Sequence, residues 1–305
     1  MRAGGGGGAR GAHAVRPYVI LARGYREGGH MDTKPLGRSG VDIPEIGMGA
    51  WDYEGDPAVM RRALELGSFL IDTAENYKTE EHVGKAIAGR RDDYFIATKV
   101  SPEHFRHADV LAAAERSLKA LGTDRIDLYQ LHAPSDEVPI GETMRAMDDL
   151  VAAGKVRFVG VSNFSVEELR EAEDALGSGS VVENQIKYSL FDREFAESVI
   201  PYCEENGVTV LAYSSLERGR FVAELRENEV LSEVMDRVCA ETHKTPAQVV
   251  LNWVLRSPAV VTIPKTNHVA RVDENCGASG WRLTESQHAA LADAASRRRS
   301  KHWWR

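Results

Sequence analysis

Asp72, Tyr77, Lys99 and His132 are the residues of this sequence whose types and placement could do chemistry together. Asp72 closes the apolar run Phe69-Leu70-Ile71, Lys99 closes Tyr94-Phe95-Ile96-Ala97-Thr98, and His132 closes Ile126-Asp127-Leu128-Tyr129-Gln130-Leu131. Tyr77 stands shortly past the first of these. A carboxylate, a phenol, an ammonium and an imidazole read as one proton-transfer site. Successive strands that each end in an ionisable group imply a parallel sheet whose strand ends converge on a ligand.

The elements that must position these groups follow from the spacing of apolar residues. Candidate strands span 45–50, 68–73, 94–100, 125–132, 156–161, 180–187, 208–213 and 260–264. Between them, residues such as Val110, Leu111, Ala114, Leu118 and Leu121, or Met144, Met147, Leu150 and Val151, recur every three or four positions and place one apolar stripe on each helix. Helix boundaries agree, because Ser165 opens a Ser-Val-Glu-Glu capping box, and Gly154 and Gly207 follow helical runs. Eight such repeats, with strands too apolar to alternate strictly, predict an α/β fold, a (β/α)8 TIM barrel; an open doubly wound sheet is the alternative. The barrel is preferred because no Gly-x-Gly-x-x-Gly follows the first strand and polar residues end nearly every strand. A short N-terminal hairpin over 31–41, turning at Arg38-Ser39-Gly40, and a C-terminal extra helix from Thr284 to Ser296 complete the reading.

Residues 31–296 are therefore expected to form a single barrel domain, with a disordered extension over 1–30 and a basic tail over 297–305. The first thirty residues hold five consecutive glycines, five arginines and almost no acid, and their longest apolar stretch is too short for a secretory or membrane segment. A transit peptide is disfavoured by the glycine run and the lack of serine, and Met31 is expected to be the natural start. In the whole chain, 43% apolar and 28% charged residues of mixed sign exclude a disordered class. A net charge of −8, from 38 Lys+Arg against 46 Asp+Glu, disfavours nucleic acid and acidic membrane surfaces as partners. Cys203, Cys239 and Cys276 show no pairing pattern, so neither a disulfide framework nor a thiolate zinc site is indicated, and a cytoplasmic location is expected.

From the second run to the eighth, the strand ends carry Asp72, Lys99, His132, Ser162 with Asn163, Gln185, Tyr213 with Ser214, and Lys265. The stretches 72–77 (Asp-Thr-Ala-Glu-Asn-Tyr), 97–100 (Ala-Thr-Lys-Val), 131–132 (Leu-His), 160–164 (Gly-Val-Ser-Asn-Phe), 184–185 (Asn-Gln), 212–214 (Ala-Tyr-Ser) and 263–265 (Ile-Pro-Lys), followed by Arg271 and Asn275, are ordered and spaced as in a known family. On these motifs, from about Ile43 to Asn275, the sequence resembles the aldo-keto reductases.

That resemblance implies NADPH-dependent reduction of aldehydes or ketones to alcohols. Tyr77 would give the proton, Lys99 would bring the phenol nearer to a matched acid, Asp72 would keep Lys99 charged, and His132 would orient the substrate carbonyl. A free tyrosine is about 3 pKa units from a matched donor at neutral pH, a gap that a neighbouring cation narrows. Ser162, Asn163 and Gln185 would hold the nicotinamide carboxamide, Tyr213 would stack on its ring, and Ser214 with the backbone near Leu216 would meet the pyrophosphate. Lys265, Thr266 and Arg271 suit a 2′-phosphate, which favours NADPH over NADH. Asn275 and Glu274 would face the adenine, Glu274 being equally a solvated helix residue, and His268 is read as surface.

Trp51 is read as a substrate-pocket wall, or else as barrel-end packing. The sequence departs from the family pattern at Lys78, Ala133 and Ser215, where glycine, tryptophan and proline are frequent, and substrate preference is the property these changes touch. Trp303 and Trp304 either line the pocket or belong to a disordered basic end. The partner implied is a small carbonyl compound; no oligomeric state is implied, and a monomer is compatible with the sequence. A nucleotide-binding sensor or auxiliary subunit on the same fold is the competing class. A metal-dependent hydrolase lacks ligands beyond His132 and Asp72.

Overall fold

The structure is a computed structural model that describes residues 31–177 and 179–296. The readings made for 1–30, Trp303 and Trp304 lie outside the described residues. A two-stranded antiparallel hairpin, β1 (Thr33–Pro35) and β2 (Asp42–Pro44), comes first. Its turn closes through Leu36 N–H donating to Val41 O at 2.8 Å, with Gly40 at φ 73°. The eight strands that follow are β3 (Met48–Gly49), β4 (Leu70–Asp72), β5 (Phe95–Val100), β6 (Ile126–Leu131), β7 (Val156–Ser162), β8 (Val181–Lys187), β9 (Thr209–Tyr213) and β10 (Val260–Thr262). They pair in parallel, each beside its sequence neighbour. A parallel bridge between Ile46 and Thr262 joins first strand to last, so the sheet closes into a (β/α)8 barrel.

Two packed layers hold this shape. Inside, Leu70, Phe95, Ala97, Leu128, Leu211 and Val261 fill the barrel, and Leu36 and Ile43 of the hairpin region join the same cluster. Gly37 N–H donates to Thr209 Oγ1 at 2.7 Å, which seats the hairpin against the start of β9. The hairpin thus covers the end of the barrel opposite the catalytic candidates. Outside, the stripes expected from the sequence do face the sheet: Val110, Ala114, Leu118 and Leu121 of the helix His107–Leu121 are buried, as are Met144, Met147 and Leu150 of the helix Ile140–Ala152. Full burial of each large apolar side chain contributes about 1.5–3 kcal/mol. Ser165 forms the expected capping box with Glu168, and Gly207 caps the helix Val199–Asn206 at φ 62°.

Two local features differ from the sequence reading. The first strand is two residues rather than 45–50, although contact with the last strand continues upstream through the Ile46–Thr262 bridge, and glycine at 49 permits the close approach, since a Cβ there would stand 2.8 Å from Ile263 O. Second, the segment before β10 folds into three helices, Phe221–Glu227, Glu229–Thr242 and Pro246–Val254, more than a strict one-per-strand repeat gives. The last helix agrees with the sequence reading: it spans Glu285–Ser296 with Thr284 as its cap, where Thr284 Oγ1 accepts from Gln287 N–H at 3.2 Å. All three cysteines are free, and burial pushes their thiols up, to about 12 for Cys203 and Cys276 and about 11 for Cys239. No helix among the described residues is long and apolar enough to cross a membrane.

Candidate active site

Asp72 and Lys99 end β4 and lie near the end of β5, which are adjacent strands, so their side chains meet inside the barrel mouth. Lys99 Nζ donates to Asp72 Oδ2 at 2.6 Å and to Thr73 O at 2.9 Å, with Lys99 fully buried. The other carboxylate oxygen of Asp72 accepts from Gln130 Nε2 at 3.1 Å and from Gln185 Nε2 at 2.9 Å. Burial alone would pull the Lys99 ammonium down, but Asp72, then Tyr77, outweigh it and hold its pKa above the ordinary lysine value.

Tyr77 enters from a one-turn helix, Glu75–Tyr77, just past β4. Two features fix this turn. Glu75 Oε1 accepts from Ser101 N–H at 2.8 Å, tying it to the end of β5, and Lys78 closes it at φ 58°, ψ 27°. That left-handed conformation strains a residue with a Cβ and explains why glycine suits the position. Tyr77 Oη lies 3.3 Å from His132 Nε2, the two rings pack edge to face, and Lys99 Nζ sits 4.9 Å from the centre of the Tyr77 ring. Burial, the largest influence, raises the phenol pKa; Lys99 opposes it, yet the net direction is upward. The sequence reading that Lys99 brings the phenol nearer to a matched acid holds for the direction of the cation's own contribution. The cation acts in the expected sense, but loss of solvent around the phenol is the stronger effect.

His132 follows β6. Burial first, then Lys99, lowers its pKa to about 4, against an opposing contribution from Asp72, so the ring is neutral near pH 7. Nδ1 is buried with no partner among the described residues, and as an N–H it would forfeit a hydrogen bond, so the ring proton belongs on Nε2, beside Tyr77. A histidine depressed in the folded state disfavours the protonated fold. Its contribution to stability is complete above about pH 6.5, the unfolded value, and is lost as pH falls toward about 4. Imidazole NMR titration of the protein is expected to give His132 a pKa below 5; a value above 6 would contradict this environment.

The remaining candidates surround the same opening. One cavity of about 990 Å³ is lined by Trp51, Asp72, Tyr77 and His132 at one part and by Ser162, Asn163, Gln185, Tyr213, Ser214 and Leu216 at another. Lys265, Thr266, Arg271, Glu274 and Asn275 also line it, and Lys99 lies beneath. Asn163 takes φ 62°, and its side-chain amide links elements: Nδ2 donates to Ser162 Oγ at 3.0 Å, while Oδ1 accepts from Tyr213 Oη at 3.0 Å and fixes that ring. Gln185 Nε2 is already committed to Asp72 and, at 3.0 Å, to Gln130 Oε1, so Oε1 is the polar atom left to Gln185 for a ligand. Arg271 pairs with Glu274 at 2.5 Å, which gives Glu274 a structural partner, and His268 is exposed at the cavity rim. Trp51 is 44% exposed on the cavity wall rather than packed away.

Sequence reasoning missed Gln130, Arg218, Asp52 and Glu183. Gln130 was visible as an amide inside an apolar strand. Arg218 and Asp52 line the cavity from loops. Glu183, on β8, is fully buried, and neither carboxyl oxygen has a hydrogen-bond partner among the described residues. It fits only because its cross-strand neighbour is Gly160, where a Cβ would stand 2.3 Å from Glu183 Oε2. Burial, reinforced by Asp72, raises its pKa well above the carboxylate range, so it is a neutral acid under the site. No cluster of three or more His, Cys, Asp or Glu residues able to hold a metal occurs among the described residues.

Comparison with known proteins agrees with this geometry. Residues 45–296 match the model of the aldo/keto reductase family. The methylglyoxal reductase YeaE of Escherichia coli is 35% identical over 278 residues, covering 87% of this chain and 95% of that protein. A glyoxal reductase of Bacillus subtilis is 36% identical over 262 residues, 83% of this chain and 89% of the relative. Among solved structures, an aldo-keto reductase from Klebsiella pneumoniae in complex with NADPH superposes with a TM-score of 0.79 at 32% identity, covering 87% of this chain and 95% of the other. With its barrel, the family match over residues 45–296 and these relatives, the chain belongs to the aldo/keto reductase family.

Proposed function

We infer that this protein reduces small aldehydes or ketones to alcohols with NADPH as its partner nucleotide, residues 31–296 acting as the catalytic unit in the cytoplasm. The observation that carries the reading is the pairing of Tyr77 Oη with His132 Nε2 at 3.3 Å, above the buried Lys99–Asp72 pair and open to the cavity. When bound, NADPH supplies the hydride to the carbonyl carbon. Tyr77 gives its hydroxyl proton to the carbonyl oxygen, forming the alcohol O–H. His132 Nε2–H donates a second hydrogen bond to that oxygen, and the phenolate left on Tyr77 is stabilised by Lys99. Asp72 keeps Lys99 charged in a place where an unpaired ammonium would be costly.

The donor set fits the nucleotide. Gln185 Oε1 can accept from a carboxamide, Ser162 and Asn163 sit beside it, and the Tyr213 ring is fixed for stacking. Lys265, Thr266 and Arg271 gather cations and a hydroxyl that suit a 2′-phosphate, with Arg271 aimed by Glu274. Replacing Arg271 with alanine is expected to weaken NADPH about tenfold while leaving NADH almost unchanged, as measured by fluorescence titration. An equal loss for both nucleotides would remove Arg271 from phosphate recognition.

The reading as a whole is tested by following NADPH absorbance in the presence of glyoxal, methylglyoxal and simple ketones. Many turnovers per protein are expected, with NADPH preferred to NADH. A protein that binds the nucleotide yet turns over no carbonyl would instead be the sensor of the competing class.

A further inference from the structure

The chemistry needs the Tyr77 hydroxyl in one place, yet the one-turn helix that carries it, Glu75–Tyr77, is weak by itself. Its internal hydrogen bonds are few: Tyr77 N–H donates to Ala74 O at 3.1 Å and Lys78 N–H to Glu75 O at 3.4 Å, and no side chain caps its start. Lys78 then closes it in a left-handed conformation, which costs a residue with a Cβ of order 1 kcal/mol or more. Contacts outside the turn must therefore hold it. At the base of the loop, the buried hydroxyls of Thr73 and Thr79 lie 2.9 Å apart and tie its two ends together.

Glu75 supplies the second tie, and its carboxylate reaches three elements. Oε1 accepts from Ser101 N–H at 2.8 Å, just past β5, and faces His104 Nδ1 at 2.8 Å, in the turn Pro102–His104. Oε2 accepts from Arg116 Nη2 at 3.3 Å, on the helix His107–Leu121. Arg116 Nη2 also stands 3.4 Å from His104 Nδ1. A guanidinium donates only and a carboxylate accepts only, so the shorter contact assigns a proton to Nδ1, and the approach of Arg116 to His104 is packing. Three donors thus meet one carboxylate whose side chain is 11% exposed. Asn76 and Tyr77 line the cavity, while Glu75, His104 and Arg116 stand behind its wall. They reach the reaction only through the turn.

We propose that Glu75, clamped by His104 and Arg116, is a positioning residue for the proton donor: it holds the Tyr77 hydroxyl against His132 and so governs kcat without touching substrate or nucleotide. This rests on the carbonyl-reductase reading above. The test compares Glu75→Ala, Glu75→Gln and His104→Ala with the wild type in the reduction of methylglyoxal by NADPH. A displacement of about 1 Å at a reacting group costs on the order of 10²-fold, so Glu75→Ala should lose about 10- to 100-fold in kcat, with KM for methylglyoxal and NADPH affinity by fluorescence kept within about twofold. Glu75→Gln keeps an acceptor for Ser101 N–H but offers Arg116 no charge, and should fall between; His104→Ala should do the same. The solvent deuterium isotope effect on kcat should rise in Glu75→Ala, because proton transfer from a misplaced phenol becomes the slow step, which a general loss of stability does not produce. His107→Ala is the control. It removes a histidine–carboxylate pair of the same length, His107 Nε2 with Asp149 Oδ2 at 2.8 Å, that has no contact with the turn, and it should keep the wild-type kcat and isotope effect.

If Glu75→Ala does not fold, Glu75→Gln and His104→Ala carry the same comparison. Wild-type kcat in these variants, a loss carried by KM or by NADPH affinity, an unmoved isotope effect, or an equal loss in His107→Ala would each overturn the proposal. In any of these cases, turnover of methylglyoxal by the wild type leaves the carbonyl-reductase reading standing. A wild type that reduces no carbonyl with NADPH fails that reading as well as this one.

Discussion

Tyr77→Phe is expected to lose about 10²- to 10⁴-fold in kcat, the range for removing a positioned general acid. NADPH affinity should barely change, because Asn163 and Gln185 keep their contacts without the phenol oxygen. The fold should also tolerate the change, since the hydroxyl's side-chain hydrogen bond is a 3.3 Å contact with His132 in a half-buried position. The raised pKa of Tyr77 sharpens the expectation. Activity needs the protonated phenol, and a phenol held above its ordinary value keeps its proton through neutral pH, so turnover should decline only in the alkaline range. A phenylalanine variant that reduces carbonyls unimpaired would end the proposed role.

The second large effect is expected at Lys99. Lys99→Met leaves Asp72 buried with two amide donors and no opposite charge, and breaking such a pair from one side costs about 3–5 kcal/mol. Denaturant unfolding should show that loss, and kcat should fall as well, because the phenolate formed on Tyr77 would lose the cation 4.9 Å from its ring. Pairing the change with Asp72→Asn separates the two consequences. The double variant is expected to regain much of the stability, since no lone charge remains, and none of the activity. If Lys99→Met were as stable and active as the wild type, the buried pair would have no part in either.

Much of this site was legible because a parallel barrel strand advertises its end. Phe95–Val100 and Ile126–Leu131 are fully buried strands, Lys99 lying near the end of the first and His132 just past the second, and strand order follows chain order, so Asp72, Lys99 and His132 had to meet. The loop-borne groups were less legible. Arg218 follows no periodic pattern, and what makes it notable, a ring beneath it and a strained backbone, exists only in three dimensions. Glu183 was hidden for another reason: residues on a fully covered strand do not reveal which side faces the interior, and the space it occupies belongs to Gly160 on the next strand. The direction of the Tyr77 shift was out of reach as well, because the sequence names the neighbouring cation but not how much water the fold removes.

The closure of the barrel has a mechanical side. The hoop is fastened at its narrowest clasp, where β3 is two residues long and meets β10 through one bridge and a few hydrogen bonds: Gly47 N–H to Thr262 O at 2.8 Å, Thr262 N–H to Glu45 O at 2.9 Å, and Gly49 N–H to Pro264 O at 3.4 Å. Gly49 and Trp51 on one side of that clasp, and Ile263, Pro264 and Lys265 on the other, are cavity walls. A molecule lying across them therefore works as a staple. Occupancy of the cavity and integrity of the hoop become one equilibrium, in which each tenfold rise of ligand above its Kd adds about 1.4 kcal/mol to the folded state.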